Sequence, residues 1–185
     1  MFDIEQIIEG CARMDRKAQK KLYDKYASVL LGMCVRYANN RAEAEDVLQD
    51  GFVKIFFNIK QYNGTGSFEG WMKRIIINTA ISNYRANLKH YYHMDVEDIK
   101  KTEIDETSID TSEFSREELL KIISNLPEGF RVVFNLYAVE GYKHKEIAEM
   151  LGIDIGTSKS QYSRAKALIQ KKLYELSKLK VHQPQ

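Results

Sequence analysis

The clearest structural signal lies in residues 144–166, which read HKEIAEMLGIDIGTSKSQYSRAK. The stretch predicts a short helix that ends at Gly152, a turn, and a second helix that opens near Gly156 and Thr157. Apolar residues at helical spacing would face inward: Ile147, Ala148 and Leu151 in the first helix, and Tyr162, Ala165 and Leu168 in the second. This is the pattern of a helix-turn-helix unit, in which the small Ala148 lets the helices approach closely.

The outward face of the second helix carries hydrogen-bond donors that suit base edges and phosphates. These residues are Lys159, Ser160, Gln161, Ser163 and Arg164. Helix pairs of this form also occur as plain packing units, and that alternative stays open. The donors favour a unit that reads DNA through the major groove.

The N-terminal half of the chain is predicted to be helical as well. Asp15 is a candidate N-cap, and apolar residues three or four positions apart form a predicted inward stripe: Leu22, Tyr26, Val29, Leu30, Met33, Cys34 and Tyr37. A second helix would bury Ala44, Val47, Leu48, Phe52, Ile55, Phe56 and Ile59. Turn-forming residues 63–67, NGTGS, then precede a third helix over residues 71–88.

After residue 113 the same analysis predicts more helices. Residues 117–126 are weakly amphipathic, and Pro127 suits the first turn of a following helix that runs through Val133, Phe134 and Tyr137. Gly141 would end that helix, just before the helix-turn-helix unit.

The composition agrees with an all-α fold. The chain has 185 residues, of which 44% are hydrophobic and 29% charged, while Gly 10 and Pro 2 are too few for an all-β protein with many tight turns. Two cysteines, Cys11 and Cys34, favour a reducing compartment over a disulfide framework. No apolar run approaches the ~18 residues that cross a bilayer, and the first residues lack the pattern of a signal peptide. We therefore expect a cytoplasmic protein without membrane insertion.

The near-neutral net charge of +2 hides an uneven distribution along the chain. Residues 95–113 hold eight acids and two lysines, whereas residues 159–180 hold seven basic residues and one acid, and residues 71–89 hold four basic residues and no acid. The acidic stretch has poor apolar periodicity and predicts a flexible, solvated linker between two helical domains. Two basic segments on either side of it favour a polyanionic partner that is contacted at two places, although a solvated helix face explains many basic runs.

Three stretches, in this order along the chain, resemble the sigma-70 family of RNA polymerase sigma factors, and specifically its small extracytoplasmic-function (ECF) group. They are EAEDVLQDGF at 43–52, GWMKRIIINTA at 70–80, and EIAEMLG at 146–152 with GTSKSQYSRAK at 156–166. The resemblance implies family region 2 at residues 5–90, the acidic linker at 91–113 and region 4 at 114–180. It also implies a transcription initiation factor that binds core RNA polymerase and directs it to promoters.

The resemblance assigns a role to each stretch. In the first, Glu45, Asp46, Gln49 and Asp50 would grip the clamp helices of the largest polymerase subunit. An ordinary solvated helix face is the alternative for these four residues.

The glycine-broken loop and the helix after it resemble the part of the family that opens and captures the minus-ten element. Stacking and hydrogen bonding of extruded bases can offset the cost of unstacking them. The implied residues are Tyr62, Asn63, Ser67 and Phe68 in the loop, and Asn78, Ser82 and Arg85 on one helix face, with Tyr62 and Asn78 as the preferred specificity residues. Aromatic residues such as Phe68 and Trp71 are also common in cores, and this alternative stays open.

In the third stretch, the second helix of the motif would enter the major groove at the minus-thirty-five element. Lys159, Ser163 and Arg164 are the expected contacts, with Ser160 and Gln161 as adaptable neighbours. The family more often has aliphatic residues at Ser158 and Tyr162 and an arginine at Gln161, which leaves the half-site sequence open. An anti-sigma protein is a further partner that the resemblance implies.

The residues give little support to an enzyme. Histidines 90, 93, 144 and 182 are scattered, neither cysteine has a metal-spaced partner, and no Gly-rich phosphate loop or G-x-S-x-G elbow occurs. We expect no catalytic residue, no metal site and no cofactor. The rival interpretations are a stand-alone helix-turn-helix regulator that does not require polymerase, and a protein-binding adaptor.

Overall fold

The computed structural model describes residues 4–91 and 114–181. Within those two ranges the chain is helical, without a strand, which confirms the all-α prediction. The helices are α1 (Ile4–Ala12), α2 (Arg16–Tyr37), α3 (Arg41–Asn58), α4 (Phe68–Tyr91), α5 (Arg116–Ser124), α6 (Glu128–Phe134), α7 (His144–Leu151) and α8 (Ile155–Val181). The chain divides into two compact units, Met1–His90 and Tyr91–Gln185. None of the described helices is long and apolar enough to cross a membrane.

In the first unit, α2 packs against α1 and α3, and α2 begins at the N-cap that the sequence predicts. Asp15 is the N-cap of α2, where its side chain accepts a hydrogen bond from the Lys17 backbone N–H. Asn40 caps α3 in the same way through the Glu43 N–H. These caps satisfy backbone donors that have no partner inside the helix.

The predicted inward residues of α3 and of the short 3₁₀ turn Ile59–Gln61 are buried, apart from Phe56, which is half-buried. The stripe predicted for α2 contains one error. Val29 is 53% exposed, whereas its neighbour Leu30 is fully buried. Successive helical residues are separated by about 100°, so Leu30 takes the core position and turns Val29 toward solvent. Helix α1 was not separately predicted; it contributes Ile7 and Cys11 to the core.

Helix α4 begins at Phe68, three residues before the predicted start at Trp71. The Ser67 hydroxyl accepts a hydrogen bond from the Gly70 N–H at 2.9 Å, and the Ser67 carbonyl accepts from the Trp71 N–H at 3.1 Å. Ser67 therefore acts as a helix cap, and the turn-forming stretch 63–67 ends one residue before the helix.

The second unit is built on the 27-residue helix α8. Helix α5 opens with a capping box between Ser115 and Glu118, and Pro127 occupies the N-cap position of α6 rather than its first turn. Helix α6 continues into a π-helical turn, Asn135–Val139, so the predicted helix ends irregularly before Gly141. Gly152 ends α7 in the left-handed conformation, as predicted.

Two apolar clusters hold α8 to the other helices of the second unit. Near the start of α8, Ala165 packs with Leu126 and Phe130, and further along, Leu173 packs with Phe114 and Ile122. The predicted linker, residues 91–113, lies outside the described residues except for Tyr91. Its flexibility stays a prediction.

The close approach of α1 and α2 predicts that Gly10→Ala destabilises the first unit. A Cβ at Gly10 would lie 2.5 Å from the Cβ of Ala18, so one helix would have to move. We expect the free energy of unfolding to fall by about 1–3 kcal/mol. Because Trp71 is the sole tryptophan and lies in this unit, its fluorescence during urea unfolding measures the effect.

Gly32→Ala is the matched control, since nothing lies within 4 Å of a Cβ at Gly32 in the middle of α2. That change should raise the stability by about 0.5–1 kcal/mol, because alanine is the better helix former. Equal effects of the two substitutions would contradict a specific contact at Gly10.

Candidate protein and nucleic-acid interfaces

The first candidate interface is the acidic face of α3, formed by Glu45, Asp46, Gln49 and Asp50. All four side chains are exposed. Glu45 is paired with Arg41, whose Nε lies 2.6 Å from Glu45 Oε1. No ion pair joins Asp46 or Asp50 to another described residue, so both carboxylates are available to a basic partner.

Glu43 has a structural role at the start of this helix, although it belongs to the same sequence stretch. Its Oε2 accepts from the Asn39 N–H at 2.8 Å, and its Oε1 lies 3.4 Å from Nδ2 of Asn87 on α4. Glu43 therefore links the first turn of α3 to α4. The first contact is local, to the residue before the N-cap Asn40, whereas only the fold shows the second.

The loop before α4 is closed by its own side chains. The Tyr62 hydroxyl donates to the Gly66 carbonyl at 2.9 Å, and Asn63 Oδ1 accepts from the backbone N–H and the hydroxyl of Thr65. Gly64 and Gly66 both have positive φ, a conformation that favours glycine. The loop thus has a defined shape, with Asn63 and Thr65 exposed on it.

Three aromatic rings form the base of this loop. Tyr62 lies 5.0 Å from Phe68 and 5.8 Å from Trp71, and Phe68 stacks on Trp71 with centroids 5.6 Å apart. Phe68 is only 7% exposed, whereas Tyr62 and Trp71 are half-buried. Phe68 therefore supports the other two rings from the core side, and Tyr62 and Trp71 are the rings that reach the surface.

Helix α4 carries an exposed polar stripe that leads away from the loop. Asn78, Ser82 and Arg85 are exposed and share one face, at the predicted spacing. Arg74 is also exposed, four residues before Asn78, and extends the same stripe. The sequence prediction missed Arg74, although the i, i+4 spacing could have found it. The adjacent Thr79 faces the core and accepts a hydrogen bond from Lys54 at 3.2 Å.

The second candidate nucleic-acid interface is the start of α8. Lys159, Ser160, Ser163 and Arg164 are exposed, as predicted, while the Ser160 hydroxyl donates to the Thr157 carbonyl at 3.0 Å. Gln161 differs from the prediction because it is half-buried, and its Oε1 is buried without a hydrogen-bond partner among the described residues. Gln161 lies on the side of α8 that carries the buried Ser158 and Ala165, so it lies at the edge of the exposed face.

A cluster of polar and aromatic side chains fixes the orientation of this helix. We call it the α7–α8 cluster, and its residues are Tyr137, His144, Ser158 and Tyr162. His144 Nδ1 and the fully buried Ser158 hydroxyl are hydrogen-bonded at 2.9 Å. The Tyr137 ring stacks on His144 at 4.3 Å and lies 4.5 Å from the Tyr162 ring. Burial and the charge of Lys159 lower the pKa of His144, which favours its neutral form.

The cluster contains Ser158 and Tyr162, two of the three residues at which the sequence departs from the more common family pattern. Ser158 occupies a buried position where an aliphatic side chain would need no partner, and His144 supplies the hydrogen bond that the hydroxyl requires. Tyr162 packs against Phe134 as well as Tyr137. Sequence periodicity predicted Tyr162 as an inward residue, but it did not predict the pairing of Ser158 with His144.

Metal-ligating residue types do not cluster in the described part of the chain. No group of three or more histidine, cysteine or acidic residues there could hold a metal ion. Burial raises the pKa of the Cys11 thiol to about 11 and that of Cys34 to about 12, so both stay protonated at neutral pH.

Comparison with known proteins gives matches in both units. The sequence model of sigma-70 region 2 matches residues 22–89, and that of sigma-70 region 4 matches residues 116–169. The ECF RNA polymerase sigma-E factor of Haemophilus influenzae is 29% identical over 182 residues, which is 93% of this chain and 96% of that protein. The RNA polymerase sigma-H factor of Pseudomonas aeruginosa is 31% identical over 182 residues, covering 93% of this chain and 94% of that protein.

Among solved structures, the sigma factor RpoE of Bartonella quintana, in complex with the anti-sigma factor NepR, matches with a TM-score of 0.48. It is 21% identical, and the match covers 84% of this chain and 96% of that chain. The two region models and the full-length relatives agree on one assignment. The chain therefore belongs to the sigma-70 family of RNA polymerase sigma factors, within the extracytoplasmic-function group, and is a promoter-specificity factor that binds core RNA polymerase.

Proposed function

We propose that three exposed helix faces have separate roles in promoter recognition by the holoenzyme. The acidic face of α3 binds the clamp helices of the largest polymerase subunit, the loop and polar stripe of α4 capture the minus-ten element, and the start of α8 reads the minus-thirty-five element. The observation that carries this proposal is that each of these helices exposes the polar residues named for it on the side away from its buried apolar residues.

At the minus-ten element, the proposal uses Tyr62, Asn63 and Ser67 around the loop. Tyr62 and Trp71 present rings on which an unpaired base can stack, with Phe68 packed beneath them. Asn63 offers an exposed amide to base edges. Along α4, Asn78 and Ser82 supply polar groups, and Arg74 and Arg85 supply positive charge for the strand backbone.

At the minus-thirty-five element, Lys159, Ser163 and Arg164 would make the principal contacts in the major groove. The α7–α8 cluster supports this role because it fixes the rotation of α8 about its axis. Ser160 has an adaptable hydroxyl, and the half-buried Gln161 reaches DNA only through its exposed atoms.

The remaining assignments follow from the family. Members are transcription initiation factors rather than enzymes, so bond formation belongs to the polymerase and the chain acts with it in the cytoplasm. An anti-sigma protein is a further proposed partner, in keeping with the complex in which the Bartonella quintana factor was solved. A stand-alone regulator is not favoured, because region 2 and region 4 are both matched in one chain.

Transcription in vitro with a bacterial core enzyme tests the proposed function. We expect weak promoter binding by the isolated chain, and strong binding with selected start sites once core enzyme is present. Tight binding of the isolated chain to a two-fold symmetric site, without start-site selection, would instead indicate a stand-alone regulator. An adaptor would show no salt-dependent DNA affinity.

Asp46→Lys combined with Asp50→Lys should lower the affinity for core polymerase by at least about 100-fold, because it places like charges against a basic partner. The fold should be unchanged, since both residues are exposed. Fluorescence anisotropy of the labelled full-length chain titrated with core enzyme measures the loss.

The control for this pair is Glu9→Lys combined with Asp24→Lys, which makes the same change in net charge on α1 and α2. Both residues are exposed, and the Lys20–Asp24 ion pair that is lost contributes little at the surface. Wild-type affinity in the α3 double variant, or an equal loss in the control, would remove the acidic face of α3 from the interface.

Arg164→Ala should reduce the slope of log affinity against log salt by roughly 0.9 for minus-thirty-five DNA, because one phosphate contact is lost. The holoenzyme is titrated with the DNA at several salt concentrations. Lys121→Ala is the control, since Lys121 is an exposed lysine on α5 of the same unit. If Arg164→Ala left the slope unaltered, Arg164 would not contact a phosphate.

A further inference from the structure

Beyond the acidic face, the outward side of α3 carries exposed apolar residues. Val53 is 51% exposed and Phe57 is 74% exposed, and Phe57 is the most exposed large apolar side chain among the described residues. An exposed phenylalanine contributes no hydrophobic free energy to folding, and it lowers the solubility of the protein. Its position on the outward side of this helix therefore indicates a partner that buries it.

Helix geometry places these two residues in line with the acids. Val53 follows Asp46 by seven residues, and Phe57 follows Asp50 by seven residues. Seven residues make about two turns and advance about 10 Å along the axis, so each apolar residue lies on the same side as its acid. The outward side of α3 therefore has an acidic half followed by an apolar half.

The apolar half is not a displaced part of the core. The neighbouring Phe52 and Ile55 are 3% and 0% exposed and fill the inward positions of this part of α3. The half-buried Phe56 packs on Phe52, with ring centroids 5.8 Å apart. Since the inward positions are occupied, Val53 and Phe57 remain outside for a partner.

We propose that Val53 and Phe57 form the apolar half of the polymerase-binding surface, continuous with the acidic face of α3. This inference rests on the proposed role of that face. It identifies the partner as a helical segment of the core enzyme with basic side chains opposite Asp46 and Asp50, and with an apolar group about two turns further along. A second copy of this chain fits less well, because two acidic faces would repel each other if the α3 helices packed side by side in parallel.

The test is Val53→Gln combined with Phe57→Gln in the full-length chain, with glutamine chosen because it is a good helix former. We expect the affinity for core polymerase to fall by about 10- to 100-fold, the range of an interface residue buried on binding. The slope of log affinity against log salt should stay at the wild-type value, because salt does not screen apolar contacts. Asp46→Lys with Asp50→Lys should change that slope.

The matched control is Val29→Gln combined with Val35→Gln, which removes two apolar side chains that are 53% and 41% exposed on α2. This variant should bind core polymerase like the wild type. Trp71 fluorescence during urea unfolding should show equal stability for both double variants.

Three other outcomes would contradict this inference, and one of them would also contradict the proposed function. If the charge-reversal variant loses binding but the Val53 and Phe57 variant binds like the wild type, this inference fails while the proposed function stands. If neither variant loses binding, the polymerase surface lies elsewhere and both fail. If the wild type dimerises in sedimentation velocity, and the Val53 and Phe57 variant loses the dimer but keeps its polymerase affinity, the apolar half serves a second copy and the inference is overturned.

Discussion

Each helix that is proposed to bind a partner has to bury one side in the core and expose the other side at the surface. On α3, Ala44 and Ile55 are fully buried while Asp46 and Asp50 are exposed, and on α8 the buried Ala165 directly follows the exposed Arg164. A spacing of about 100° between neighbouring residues makes this division possible. A shift of one residue would bury charges and expose the core, so folding and binding depend on the same periodicity.

In the second unit, neighbouring side chains compensate for one departure from the family pattern, the buried Ser158. A buried serine at position 158 would cost stability alone, but the hydrogen bond to His144 satisfies it, and the stacked Tyr137 holds the imidazole in place. The lowered pKa of His144 keeps the ring neutral beside the positive charge of Lys159. The orientation of α8 thus depends on residues of the π-helical turn, α7 and α8 that act together.

Periodicity and capping predicted most of the fold, because buried stripes such as Leu22, Leu30 and Cys34 and caps such as Asp15 are local signals. They did not predict that Ser67 caps α4, that Phe68 is buried beneath Trp71, or that Gln161 is half-buried. The cap and the Phe68–Trp71 contact are local, but periodicity alone does not say whether a polar or aromatic residue beside a loop caps a helix, packs in the core or lies at the surface. The exposed candidates on α3, α4 and α8 followed from motif position. Arg74 was missed although its i, i+4 spacing from Asn78 is visible in the sequence, whereas the His144–Ser158 pair required the three-dimensional arrangement.

The length of α8 has a mechanical consequence. The helix continues unbroken from the exposed Lys159 to Leu173, which packs with Phe114 and Ile122 about 21 Å along the axis. If a straight helix of that length tilts by about 5° at one end, its other end moves by about 2 Å. A displacement of that size is enough to break a hydrogen bond. Side chains outside the proposed DNA contacts, such as Phe114 and Ile122, thereby help to aim the residues that are proposed to make those contacts.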